Sequence, residues 1–448
     1  MKNIAFVANQ VKTSFFELIA ETLIAQGYSV YWVTVSPAIS DHLSQRFGEN
    51  RVLFLDRTVS LLEADEINMP DLKLNEIIQS DRSLRVQQGW AKQYLRGVQA
   101  LLYKFISNHN IRFVFGEVTW AHELIALRLT LQVPRLKCTY LNPHTVRIPD
   151  NYFGFFNNET QSVLFEVLGS EARHFVVEAK KPEYLVLNNE VLKKSFTLSA
   201  RLKKVGSFIF GLNDEKENGT KFQSKLLKLK NNLIIEINRV SYLFQRRFRY
   251  GDLPEEVKAN YVIYPLHKQP EASIDVIGRY YDDQYLNVLN IWRGLPDGWS
   301  LLVKEHSNAV GDRGYSFYRK ISRLEGVYLV HEQEDSYAII NGCRAVFTVS
   351  GTAAYEAALL GRPSFTFAPC FFNRLNLCRQ ITLADMQRYN VSELIEAMDC
   401  EGEGDFSAWL SNKIFPGIIS DPASNLKCME SGNIQIVSDA FLSILRMR

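Results

Sequence analysis

The chain reads as two α/β domains whose mostly parallel sheets face each other across a cleft, each of Rossmann-like type. Three observations predict this. Short apolar runs alternate with helical periodicity through the first 140 residues, the same grammar starts again at Tyr261, and three of the later apolar runs end abruptly in polar, chargeable residues. Strands alternating with helices build parallel sheets joined by crossover helices. In open sheets of that kind the strand ends line the ligand crevice. The length of 448 residues suits two domains of about 100–200 residues or slightly more. The expected division is 1–220, a basic linker helix over 221–255, and 256–448.

In the first half, strands are expected at 4–8, 28–35, 51–55, 111–118 and 135–141, where β-branched and aromatic residues cluster. Helices are expected at 15–26, 40–47, 74–108 and 120–131, where apolar residues recur at helical spacing. Residues 142–220 are less regular and rich in Asn, Phe and Tyr, with a helix expected near 159–179. In the second half the expected strands are 261–266, 299–304, 326–331, 343–349 and 363–368, and the expected helices 284–294, 315–323, 335–341, 352–361 and 381–397.

Composition bounds the class. The chain is 46% hydrophobic and 22% charged with a net charge of +2, an ordinary globular balance that gives no global field for nucleic acid. Six cysteines are scattered without a Cys-x-x-Cys pair, which favours reduced thiols in a cytoplasmic protein over a disulfide framework or a zinc site. The eight histidines are dispersed, so no metal site is expected. Met1-Lys-Asn-Ile-Ala-Phe-Val-Ala enters a strand directly and lacks the pattern of a signal peptide. No apolar run approaches the ~20 residues needed to cross a bilayer.

Between the halves, residues 221–249 carry eight Lys or Arg against the single acid Glu236. Leucines, isoleucines and Val240 recur there at helical spacing. A solvated linker helix packed on a domain has this pattern. So does a basic amphipathic helix lying on an anionic membrane surface, which would make the protein peripheral at the inner face of the cytoplasmic membrane.

The chemistry is expected at the strand tips. Tyr261-Val-Ile-Tyr-Pro-Leu-His-Lys-Gln-Pro-Glu-Ala-Ser273 is a buried strand that Pro265 stops just before His267, Lys268, Gln269 and Glu271. Trp299 to His306 closes on Lys304, Glu305 and His306. Arg344 to Glu356 runs from a strand through Ser350, Gly351 and Thr352 into a helix that carries Glu356. Unpaired N–H groups at such a helix start, with the Ser350 and Thr352 hydroxyls, suit a phosphate or carboxylate. In the first half, Glu117 ends a buried strand, His122 and Glu123 follow on a helix, and Asn9 sits at the first strand's tip. Glu117 is placed to face the cleft from the side opposite Glu271, and a carboxylate so held serves as nucleophile or general base.

At Pro265-Leu-His-Lys-Gln-Pro-Glu-Ala-Ser273, Val303-Lys-Glu-His306 and Val349-Ser-Gly-Thr-Ala-Ala-Tyr-Glu-Ala357, the last running on into Leu359-Leu-Gly-Arg-Pro363, the chain resembles the bacterial capsule and surface-polysaccharide glycosyltransferases of the GT-B class. That group includes retaining β-Kdo transferases. The resemblance covers about a hundred residues of the second half. It implies that Lys304, His306, Ser350, Gly351, Thr352 and Glu356 hold the donor nucleotide, that Glu271 acts on the donor sugar with Glu117 and His267, and that Gln269, Lys268, Asn9 and His122 contact substrate. Glu271 stands where the resembling enzymes carry Asp, and Ser307 where a Pro follows their histidine. The implied activity is metal-independent transfer of Kdo or a related ulosonic acid from a CMP donor, without a bound cofactor, to a surface glycan or its lipid-linked precursor, the acceptor lying on the first domain. The alternatives are a UDP- or GDP-hexose transferase, a nucleotide-sugar 2-epimerase, and a non-catalytic capsule-assembly protein.

Overall fold

The computed structural model describes residues 3–10, 12–56, 69–86, 88–166, 225–398 and 406–447. Among them are two sheets. The first runs in the order β13-β6-β5-β4-β1-β2-β3 and the second β12-β11-β10-β7-β8-β9. Their strands are β1 Asn3–Ala8, β2 Ser29–Thr34, β3 Val52–Phe54, β4 Ile111–Phe115, β5 Thr139–Thr145, β6 Tyr152–Phe156, β7 Tyr261–Pro265, β8 Ser300–Lys304, β9 Val327–Val330, β10 Ala345–Thr348, β11 Ser364–Thr366, β12 Cys378–Gln380 and β13 Ile414–Pro416.

In both sheets the opening strand lies in the middle, with its next two neighbours on one side and the fourth strand on the other. That is the doubly wound order, with a topological switch point between β1 and β4 and another between β7 and β10. The two Rossmann-like α/β units read from the sequence are therefore present. The second sheet is parallel throughout, β7 lying between β8 and β10. The first departs from a parallel sheet at one edge, where β6 pairs antiparallel with β5 and β13 antiparallel with β6.

Three expectations need correction. The expected helix over 74–108 is interrupted after Ser80, and helices span Leu74–Ser80 and Gln88–Asn108. The cause is Asp81, whose buried carboxylate accepts the N–H groups of Ser83 at 2.8 Å, Leu84 at 3.0 Å and Ala121 at 2.9 Å, competing with helical hydrogen bonds. Of the helix expected over 159–179, residues 159–166 form a turn and a bridge from Leu164 to Phe156; the rest lies outside the described residues. The helix expected over 381–397 is two, Leu383–Arg388 and Val391–Glu396, because Asn390 caps the second with its side chain on the Glu393 N–H.

The chain also does not stay in the second domain to its end, as a 256–448 division requires. β13 joins the first sheet, and a helix over Ser431–Arg446 packs on that sheet's outer face. Phe441 there meets Phe115, Phe155 and Phe6 with ring centroids 4.7, 5.0 and 5.9 Å apart. This helix has a clear apolar face, but nothing in its sequence says which sheet it covers.

The halves share a core. Val146, Ile148, Phe156 and Leu164 pack with Ala354, Tyr355, Phe371 and Phe372, and the Tyr355 hydroxyl donates to the Ile148 carbonyl at 2.7 Å. Beside it, Arg279 of the second half joins Glu76, Glu159 and Arg128 of the first in a largely buried ion cluster, with Arg279–Glu159 at 2.6 Å and Arg128–Glu76 at 3.0 Å. The linker helix is observed over Lys225–Leu243.

Candidate functional site

The tip of the second sheet is built on a buried polar scaffold. Where β7 ends, the His267 N–H donates to Gln284 Oε1 at 2.6 Å, and Gln284 Nε2 donates back to the His267 carbonyl at 3.0 Å and to Gln269 Oε1 at 2.8 Å. The His267 ring reaches sideways to β10, where its Nε2 accepts the Val349 N–H at 3.2 Å and lies 2.8 Å from Thr348 Oγ1. An accepting Nε2 leaves the ring proton on Nδ1. Burial, with the nearby His306 and Arg313, pushes this imidazole down to about 3, so it is neutral at physiological pH.

β8 is clamped to β7 by an ion pair. Glu305 is completely buried. It takes Arg313 Nη1 on both oxygens at 2.7 and 2.8 Å, the Tyr318 hydroxyl at 2.7 Å and the His306 N–H at 2.6 Å. The second terminal nitrogen of Arg313 donates to the His267 carbonyl. Burial raises the Glu305 carboxyl above its ordinary value against the pull of the guanidinium. Arg313 sits in the polar loop Gly311-Asp-Arg-Gly314, which carries no periodic signal, and sequence reasoning missed it.

Glu271 and His306 are exposed and Lys268 half-buried. His306 Nδ1 accepts the Asn308 N–H at 3.2 Å, which places the proton on Nε2 as a donor. Its pKa is lowered by the surrounding protein mass and by Lys304, Lys268 and Arg313, while the Glu271 carboxylate pulls it up, so the three tip side chains lie within electrostatic reach of one another. Lys304 donates to the Glu332 carbonyl at 3.1 Å. Ser350 Oγ donates to the Ser273 carbonyl at 2.6 Å, tying the tip of β10 to the turn that follows β7.

Gly351 allows a close approach, since a Cβ there would sit 2.6 Å from Thr348 Oγ1 and 3.3 Å from the His267 ring. It caps the helix Thr352–Leu359, whose first N–H groups precede any helical partner. Glu356 is buried one turn on, close enough for its charge to raise the Tyr337 hydroxyl beyond what burial does. Gln269 is held within its loop by Gln284 and by the Asp282 carbonyl at 3.0 Å.

The tip of the first sheet is a closed polar cluster. Gly116 lets β4 pass Val7 and Tyr140, where a Cβ would come within 2.9 and 2.5 Å of their side chains. Glu117 follows, bound by Lys12 Nζ at 2.6 Å. Burial pulls the Glu117 carboxyl up, but the charge and hydrogen bond of Lys12, with His144 and Arg82 beyond, hold it below its ordinary value. Glu123 is completely buried and accepts the N–H groups of Thr119 at 2.8 Å and Trp120 at 2.9 Å, and the Asn9 amide. Burial and the Glu117 charge push it up to about 8. His122 is buried and pushed down to about 3 by desolvation, and its Nε2 has no hydrogen-bond partner among the described residues.

The two tips meet at the turn after β7. Ala272 and Val276 pack into the first domain's core, and Arg85 lies 3.5 Å from Asp275. Next to it, the Arg82 guanidinium stacks 4.6 Å over Trp120, where its charge reaches both Glu117 and Asp275. The structure thus brings the tip that carries Glu271, His306, Lys268 and the Ser350–Thr352 turn next to the tip that carries Glu117, Asn9, Lys12 and Arg82. Within that set, Lys12 and Arg82 were not anticipated; Lys12 lies just past the first strand's tip, a position that could have flagged it. Among the described residues, no group of three or more His, Cys, Asp or Glu is arranged to hold a metal ion. None of the described helices is long and apolar enough to cross a membrane.

No family model and no curated protein matches the chain. Among solved structures, it is similar to the Thermosulfurimonas dismutans KpsC β-Kdo 2,4 transferase at 12% identity, covering 74% of this chain and 87% of that one with a TM-score of 0.33. It is also similar to the UDP-GlcNAc 2-epimerase of Neisseria meningitidis at 12% identity over the whole of both chains, with a TM-score of 0.25. Anabaena HepE in complex with UDP matches at 10% identity over the whole of both chains, with a TM-score of 0.29. Likenesses this distant assign no activity; the doubly wound α/β class rests on the strand order, and the chemistry on the tips.

Proposed function

We propose that the protein is a glycosyltransferase that takes a sugar from a nucleotide donor held on the tip of the second sheet. The observation that supports this most is the opposition of the two switch points, one presenting exposed donors and a carboxylate, the other a carboxylate kept ionised by Lys12. His306 Nε2, the N–H groups at Thr352 and the nearby cations Lys268 and Lys304 offer convergent donors to a leaving phosphate, which is stabilisation of developing charge.

The favoured donor is a CMP-activated ulosonic acid such as CMP-Kdo. Its negative charge is divided between phosphate and sugar carboxylate, and cations stand on both walls, Lys268 and Lys304 on one and Arg82 on the other. A UDP- or GDP-hexose concentrates its charge on the pyrophosphate and leaves Arg82 without a role. Glu271 attacks the anomeric carbon as CMP departs, forming a glycosyl ester. The acceptor hydroxyl then displaces Glu271 and gives up its proton to Glu117, with net retention. The acceptor is a surface glycan or its lipid-linked precursor.

Product analysis tests this. The purified protein is incubated with CMP-Kdo, UDP-GlcNAc or a GDP-hexose, with and without a glycolipid acceptor. Acceptor-dependent release of CMP is the expected result. Conversion of UDP-GlcNAc to its 2-epimer without acceptor would replace the transferase by an epimerase, and glycan binding without turnover of any donor would leave a non-catalytic protein.

A further inference from the structure

Among the described side chains, the helix over Lys225–Leu243 is fastened to the second domain by one face. Asn238 Nδ2 donates to the Gly311 carbonyl and Arg239 Nε to the Val310 carbonyl, each at 3.1 Å. Tyr242 is completely buried and its hydroxyl lies 3.1 Å from Glu332. Contact is close: at Gly311, whose φ is +103°, a Cβ would come within 2.8 Å of the Ile235 carbonyl.

At about 100° per residue, the opposite face carries Leu233, Ile237 and Val240, which fall within about 60° of one another, and Phe244 follows directly past the helix's last residue. Their exposures are 61%, 57%, 55% and 81%. Leu243, 64% exposed, flanks the stripe. Isolated exposed apolar side chains are ordinary, but a continuous stripe of this kind marks an interaction surface. Its rim is basic. Lys230 is exposed beside it. Arg246, just past its end, is exposed and stacks 4.7 Å over Phe248. The one acid of the stretch, Glu236, is paired to Arg239.

We propose that this face lies in the interface of an anionic lipid bilayer, with Leu233, Ile237, Val240 and Phe244 among the acyl chains and Lys230 and Arg246 at the headgroups. An apolar stripe with a cationic rim is complementary to such a surface in both respects at once. A second copy of the chain is a poorer occupant, because packing the stripe on itself in either direction brings Lys230 and Arg246 against each other or against themselves, and like charges across an interface are unfavourable. The proposal rests on this helix alone and holds whichever reaction the cleft performs.

Flotation with vesicles of phosphatidylcholine, with and without phosphatidylglycerol, tests it on the full chain. Two variants accompany the wild type: Leu233→Gln/Ile237→Gln/Phe244→Gln and Lys230→Gln/Arg246→Gln. Both change exposed positions only, and thermal melts establish that they fold. The expected result is binding that needs phosphatidylglycerol, falls at least tenfold in the apolar variant, and loses its lipid preference in the basic one. Absence of flotation with anionic vesicles, or equal flotation by the apolar variant, would overturn the proposal. So would a concentration-dependent dimer in sedimentation that the apolar substitutions abolish, since a second copy would then own the face.

Discussion

The two sheet tips solve the same problem of placing charge at a switch point in opposite ways. At the first, the acids are matched inside the cluster: Glu117 with Lys12, and the Glu123 carboxyl with Asn9 and two backbone N–H groups. At the second, the matched groups lie underneath, as Glu305 with Arg313 and His267 with Val349, while Glu271 and His306 are exposed and Lys268 half-buried. The first tip is preorganised electrostatics; the second is a hydrogen-bonded platform with exposed groups above it, which the proposed function uses as ligand positions. Rigid support beneath a ligand site is what holds its groups in productive geometry.

If that contrast is right, breaking the platform costs folding and altering what stands on it costs function. Arg313→Met should have the largest effect on stability. It leaves Glu305 buried without its partner, and a broken buried pair costs roughly 3–5 kcal/mol, read as a lowered denaturant midpoint. Glu271→Gln should leave that midpoint unchanged, because Glu271 is exposed, while turnover falls by about 10²–10⁴. Near-normal turnover in Glu271→Gln would transfer the catalytic role to Glu117 and reverse the comparison.

The platform was only partly legible in the sequence. The three strand tips that end in His267, His306 and Ser350 could be read because each follows a short apolar run, and β10, β7 and β8 are indeed neighbours. Strand order made them neighbours, and order is a long-range property no local pattern contains. For the same reason Arg313, Gln284 and the return of residues 414–446 to the first sheet were invisible: each is defined by a partner distant in the chain. His267 and Gln269 were read as ligand-facing because polar residues at a strand end usually are. Both are instead bound into the scaffold, His267 on Val349 and Gln269 on Gln284.

The buried histidines sharpen the comparison through pH. His267 and His122 are neutral in the fold with pKa values near 3, against about 6.5 unfolded. Between these values the unfolded chain binds the extra protons, so stability is lost as pH falls below about 6.5. Each histidine contributes a slope of roughly 1.4 kcal/mol per pH unit. Glu123 acts with the opposite slope: its raised pKa means stability falls as pH rises from about 4.5 to 8. Unfolding curves at stepped pH should therefore show His267→Gln losing part of the acid-side slope and Glu123→Gln flattening the neutral-side decline. An unchanged acid-side slope in His267→Gln would mean that residue is not buried neutral.

The smallest expected effect is at the seam between β10 and the turn after β7. Ser350→Ala removes one hydrogen bond to the Ser273 carbonyl, a loss of roughly 1 kcal/mol. It should loosen the nucleotide cradle by several-fold in affinity while the melt shifts by no more than a few degrees. Unaltered nucleotide affinity would separate that bond from the ligand site.

The most direct test of the open-platform account is calorimetric titration of CMP, UDP and GDP into the wild type and into His306→Ala. With Nδ1 accepting from Asn308, the His306 Nε2–H is a hydrogen-bond donor that a phosphate can take, so at least one nucleotide should bind the wild type, CMP most tightly, and bind His306→Ala about tenfold more weakly at an unchanged melting temperature. Nucleotide affinity that is the same in both proteins, or no binding of any of the three, would contradict the placement of the donor on the second sheet's tip.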